Sequence, residues 1–194
     1  MDAPKIPVDG GRRFTLLTEA EMTPHQRQTY QAIVSGPRRG ALGPFNALLR
    51  SPDVADRVQK VGEYVRFHSV IPAPLNEMAI LIAGRAWNAQ FEFWAHSRLG
   101  KEAGLDPTII DAIAEGRRPP KLSVDERIVY DFCSELFRDK EVSDSTFKAA
   151  VDRFGEQGVI DLIVAGGYYS IVSMVLNVDR YPLPVGENPP LKRL

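Results

Sequence analysis

Between Pro74 and Leu99 the sequence PLNEMAILIAGRAWNAQFEFWAHSRL sets two carboxylates and an imidazole, Glu77, Glu92 and His96, among otherwise apolar residues. Charged groups are seldom buried without a partner, so carboxylates on such a segment either face an opposite charge or line a polar cavity. Glu92 and His96 stand four residues apart and share one face of a helix, where the carboxylate can raise the histidine pKa and fix its tautomer. A histidine tuned in this way beside a second carboxylate is suited to moving a proton on or off carbon or oxygen. Decarboxylation, isomerisation, hydration and lactone hydrolysis are all served by that trio. The same donors could hold a divalent metal, but without a second histidine at ligand spacing they make a poor set. The expectation is therefore a site that uses neither metal nor cofactor.

A geometric condition follows. In one straight helix, a rise of 1.5 Å per residue would hold Glu77 and His96 about 28 Å apart. A relay requires a break, and Trp87-Asn88-Ala89 is the best place for it, because Asn tolerates the left-handed conformation that ends helices. The expectation is a helical hairpin, Asn76 to Ala86 and Gln90 to Leu99, that brings Glu77 beside His96. Glu92 then lies near the positive N-terminal end of the second helix.

Further side chains join the candidate list. His68, in the loop before the motif helix, could be delivered to the same pocket as a catalytic group or stay on the surface. Tyr168 and Tyr169 could offer a hydroxyl to a bound substrate while their rings pack. Trp87 and Trp94 flank the motif as core or pocket wall, and Trp87 is taken as substrate-binding. His25 reads as a surface residue. The only cysteine, Cys133, can form no internal disulfide and no two-thiol redox site, and it reads as a small buried apolar residue.

The elements that position these groups are punctuated by their caps. Thr23-Pro24, Ser51-Pro52 and Asp106-Pro107 each join a capping side chain to a preset first-turn φ, opening helices to about Val34, Phe67 and Ala114. Ser123 with Glu126 makes a capping box for a helix to about Arg138. Val159 to Val178 reads as a buried helix. The runs at Gly36 to Gly40 and Gly43-Pro44 read as loop, and Arg117 to Lys121 as a connector. No segment alternates apolar and polar residues long enough for a strand, so an all-α bundle is expected. Its parts are an N-terminal arm over residues 1–22, one domain over 23–180 and an extended tail over 181–194. The four prolines of that tail suit an arm that wraps a neighbouring subunit or frays.

Laid together, these residues resemble the carboxymuconolactone decarboxylase and alkyl hydroperoxidase D-like superfamily. Its signature runs E-x11-C-x2-C-x3-H. The glutamate falls on Glu77, the two cysteines on Ala89 and Glu92, and the histidine on His96. AQFEFWAH resembles the Glu-Tyr-Glu-Trp-like run of members that lack the cysteine pair. The resemblance covers roughly Gly40 to Pro184, with RGALGPFNALLRSPDVADRV similar to the family's entry segment and GGYYSIVSMVLNVDRYPLP to its closing helix and exit loop. It implies a small all-α bundle with a central helical hairpin, self-association as trimers or hexamers, or as a dimer, and action on a small organic acid or lactone in aromatic-compound catabolism. Peroxide reduction in this superfamily needs an attacking thiolate and a resolving thiol, which Ala89 and Glu92 cannot supply. A non-catalytic or metal-binding protein on the same fold stays open, as does thiol chemistry if Cys133 reaches the pocket.

Composition bounds the remaining classes. The 194 residues can close one hydrophobic core, and 44% hydrophobic with 25% charged residues is a globular balance. A formal net charge of −1 leaves no excess of basic groups for a phosphate backbone or an anionic bilayer, so neither nucleic acid nor membrane is an expected partner. The first residues carry no secretory-signal pattern, and a cytoplasmic location is the expectation.

Overall fold

The computed structural model describes residues 5–7, 11–38 and 40–192, so parts of the expected N-terminal arm, Arg39 and the last two tail residues lie outside the description. Among the described residues there are eight helices and no strand: α1 Pro24–Ser35, α2 Phe45–Leu48, α3 Pro52–Phe67, α4 Ala73–Ala86, α5 Gln90–Glu102, α6 Pro107–Ala114, α7 Val124–Asp139 and α8 Asp144–Asp179.

Local chemistry explains where most helices begin. At α1 the Thr23 hydroxyl accepts from the Gln26 amide at 3.2 Å, while Gln26 Oε1 accepts from the Thr23 amide at 2.9 Å. The same reciprocal pair forms between Ser123 and Glu126 at α7, and Asp106 Oδ1 accepts from the Thr108 amide at α6. Ser51 departs from expectation, since its side chain makes no cap bond. The preset φ of Pro52 starts α3 there, and the Ser51 amide donates to Leu48 of the preceding turn.

α4 is the axis of the bundle. Every residue from Leu75 to Arg85 is buried, a helix apolar nearly all round, and it packs against α5, α6, α7 and α8. Met78, Ala79, Leu81, Phe93, Ile109, Val129, Phe132 and Leu162 form the largest core cluster on it.

α8 is longer than the apolar stretch that signals it, and it bends at Gly155, whose φ of 70° lies in the left-handed region. Its apolar window has a mean hydropathy of 1.8, enough in length and composition to cross a bilayer, and 56% of that window is buried within the molecule. One face packs inward, while Ile160, Ile163, Ile171, Met174 and Val178 stay exposed.

Described segments of the arm and of the tail both pack on the bundle. Arg12 pairs with the buried Asp179 at 2.7 Å, whose other oxygen accepts from the Phe14 amide, so the arm is tied to the end of α8. As far as Lys192 the tail is extended and packs on the bundle. Leu191 is buried in the main core, and its amide and carbonyl are both bonded by the Gln90 side chain.

Candidate active site

The hairpin forms because α4 stops at Trp87. Asn88 takes φ 50°, and two amides close the end: Ala89 donates to Gly84 O at 2.9 Å and Asn88 to Arg85 O at 3.0 Å. That is the Schellman pattern, made affordable by an Asn in the left-handed region. The Asn88 side chain adds an acceptor for Arg85 Nη1 at 2.9 Å. The chain reverses within three residues, and α5 runs back along α4.

The return brings the three signature residues together. His96 Nδ1 lies 2.7 Å from Glu77 Oε2, in a buried hydrogen bond between α4 and α5. On the other side of the ring, Nε2 lies 3.0 Å from Glu92 Oε1, an ion-pair distance off the line of an aligned hydrogen bond. All three residues are at least nine-tenths buried. The Tyr169 ring meets the imidazole edge to face, with centroids 4.8 Å apart.

Electrostatics decide the protonation state. Burial disfavours the imidazolium, but the fields of Glu77 and Glu92 and the hydrogen bond to Glu77 outweigh it and raise the His96 pKa from 6.5 to about 9. At neutral pH the ring is therefore a cation between two carboxylates, a stored proton rather than a free base. The two carboxylates lie on opposite edges of the ring, so they do not converge with it on one ion. Among the described residues, no three His, Cys, Asp or Glu side chains do so.

Glu92 and His96 form part of the wall of a pocket of about 520 Å³, while Glu77 stands behind His96 outside the lining. Phe45, Phe91, Trp94, Tyr168 and Tyr169 supply flat apolar surface, and Arg38, Arg66 and Arg98 supply positive charge. Burial raises the pKa values of both tyrosines, which keeps their phenols protonated.

Two expected site residues fall elsewhere. His68 caps the C-terminal end of α3 with an exposed side chain and does not line the pocket. The loop after it is drawn instead to α8, where Asp161 accepts from Ser69 Oγ at 2.9 Å and the Val70 amide at 2.8 Å. Trp87 sits in the hairpin turn, 39% exposed and outside the lining, and Trp94 takes the place expected of it. Cys133 is buried among core residues of α7 with its thiol pKa pushed up to about 12 by burial, so no thiol stands in the pocket. The arginines and Phe45 carried no sequence signal beyond a Gly-Pro loop and an ordinary charged helix face.

No protein-family model matches the chain, and no curated protein sequence matches it. Solved structures do. A protein of unknown function from Agrobacterium tumefaciens, described as a candidate antioxidant defence protein AhpD, is 20% identical with a TM-score of 0.59 over 72% of this chain and 97% of its own. A cysteine-to-alanine variant of the debrominase Bmp8, in complex with 2,3,4-tribromopyrrole, is 12% identical with a TM-score of 0.69 over 90% of this chain and 94% of its own. At these identities the likeness is one of fold. The chain has the AhpD-like all-α fold, the one its signature residues imply.

Proposed function

We propose that this chain, an AhpD-like bundle without the cysteine pair, is a cofactor-independent enzyme that performs acid–base chemistry on a small organic acid or lactone, such as its decarboxylation, in aromatic-compound catabolism. The observation that carries this reading is the His96 ring held between two buried carboxylates, with one of them, Glu92, on the pocket wall.

The arrangement assigns distinct roles. Both ring nitrogens of His96 are engaged, so the group free to meet a substrate is Glu92, with His96 as its proton reservoir and Glu77 as the anchor that keeps the reservoir charged. In a decarboxylation, the bond to the departing carbon dioxide breaks and its electron pair passes into a conjugated carbonyl. The stored proton passes from His96 Nε2 through Glu92 to close the new C–H bond, and solvent then reprotonates the neutral imidazole. The aromatic walls suit a flat, unsaturated substrate. The debrominase of the same fold is held with a flat tribrominated pyrrole.

We place this enzyme in the cytoplasm as a self-associated trimer or hexamer. The exposed apolar residues of α8, with exposed Val54 and Val61 on α3, a helix that packs on α8, support association, since large exposed apolar surface marks interaction sites.

Screening unsaturated lactones and keto acids for carbon dioxide release or solvent-proton incorporation tests the reading. The wild type turns over at least one of them, and Glu92→Gln does so at least about a hundredfold more slowly. A substrate processed equally well by Glu92→Gln contradicts it.

A further inference from the structure

The pocket holds a second polar feature, remote in sequence from the hairpin. Arg38 lies in the loop after α1, with its guanidinium 5.2 Å above the Phe45 ring and Nη2 3.4 Å from the Tyr168 hydroxyl. Its Nε is buried with no hydrogen-bond partner, and among the described residues no carboxylate lies within ion-pair distance of it. Arg66 of α3 lines the same pocket, also without an acidic partner among the described residues. A guanidinium stacked on an aromatic face, with donors left over, is a pre-formed acceptor for an anion.

Gly62 of α3 makes the cradle possible. A Cβ at this position would fall 2.1 Å from the Tyr168 hydroxyl and 2.3 Å from Arg38 Nη2, so the phenol and the guanidinium meet in space that any side chain at position 62 would occupy. The Tyr168 phenol lies within the fields of both Arg38 and Glu92. Its hydroxyl accepts from Arg38 Nη2, and both residues line the pocket that Glu92 also lines.

We infer that Arg38, with the Tyr168 hydroxyl, is the carboxylate-binding subsite of this pocket, and that it holds an organic acid by its carboxylate while the rest of a flat ring lies toward Glu92. The assignment rests on the acid–base reading for the substrate's orientation but not for its binding. Arg38 donates two N–H groups to the carboxylate, Tyr168 donates its hydroxyl proton, and Phe45 keeps the guanidinium plane fixed. Arg66 adds positive field at the same side. A neutral isostere of the acid lacks the charge that this cradle is built to meet.

The test uses benzoate and benzamide as probes of the full-length protein, with the Trp94 indole N–H shift as the readout of pocket occupancy. Wild type binds benzoate about ten- to hundredfold more tightly than benzamide. Arg38→Gln removes most of that preference, Arg38→Lys keeps part of it, and Tyr168→Phe, which preserves packing, weakens benzoate alone. Gly62→Ala does the same if it folds. Equal binding of the two probes to wild type, a preference that survives Arg38→Gln, or binding that leaves Trp94 unmoved overturns the subsite. The His96 pKa, followed by NMR in Arg38→Gln, separates the two proposals. An unchanged value with lost benzoate preference leaves the relay intact, whereas an ordinary His96 pKa in wild type removes the relay without touching the subsite.

Discussion

His96 Nδ1 and Glu77 Oε2 lie 2.7 Å apart across a turn that separates them by nineteen positions in the chain. That contact exists because Asn88 adopts a conformation most residues avoid, and it places a buried cation between two buried carboxylates. The consequences for stability and for proton transfer are separable.

Stability should depend on alkaline pH through His96. Its folded pKa is raised, so the imidazolium stabilises the fold fully below the unfolded value of 6.5, and that contribution is lost as pH rises through about 9. The loss is on the order of 3 kcal/mol. Urea denaturation between pH 6 and pH 10 should show a declining midpoint that is absent in His96→Gln. A flat profile for the wild type would count against a shared buried proton.

Glu77→Gln and Glu92→Gln should differ in kind. Removing either carboxylate lowers the His96 pKa, but only Glu92 stands on the pocket wall. Glu92→Gln is expected to cut kcat by about two to four orders of magnitude. Glu77→Gln should cut it less and move the pH–rate profile toward lower pH. Equal losses with unmoved profiles would mean that both glutamates serve only the fold.

The hairpin turn offers a backbone test. Asn88→Val should cost about 1–2 kcal/mol for the left-handed conformation alone. Asn88→Gly, which keeps the conformation and loses only the bond to Arg85, should cost less. Denaturant midpoints in the reverse order would contradict the turn geometry.

Cys133→Ser should leave turnover nearly unchanged, because the thiol is buried in α7 away from the pocket with its pKa pushed up to about 12. A stability cost of about 1–3 kcal/mol is expected for the buried hydroxyl. A drop in turnover beyond about tenfold in a folded protein would bring thiol chemistry back.

Much of this was legible in the sequence where the governing chemistry is local. Thr23, Asp106 and Ser123 announce helix starts by their own side chains, and Asn88 marks the best place for the segment to turn back. The contact of Glu77 with His96 follows from that turn. Where distant segments meet, local patterns were silent. His68 is close to the motif in sequence, yet Asp161, more than 90 positions away, decides the course of the loop beside it. Arg38 and Phe45 reach the pocket from before α3, and nothing in a Gly-Pro loop says which way it will fold. The N-terminal half of α8 carries little apolar signal because its charged residues, among them Lys148, Asp152 and Arg153, dilute the pattern.

The titration of the His96 imidazole, followed by NMR in wild type, Glu77→Gln and Glu92→Gln, tests the central claim most directly. The account predicts a midpoint near 9 in the wild type and a clear downward shift in each variant. A wild-type midpoint near 6.5, unmoved by either substitution, would show that the two carboxylates do not hold the proton and would contradict the relay.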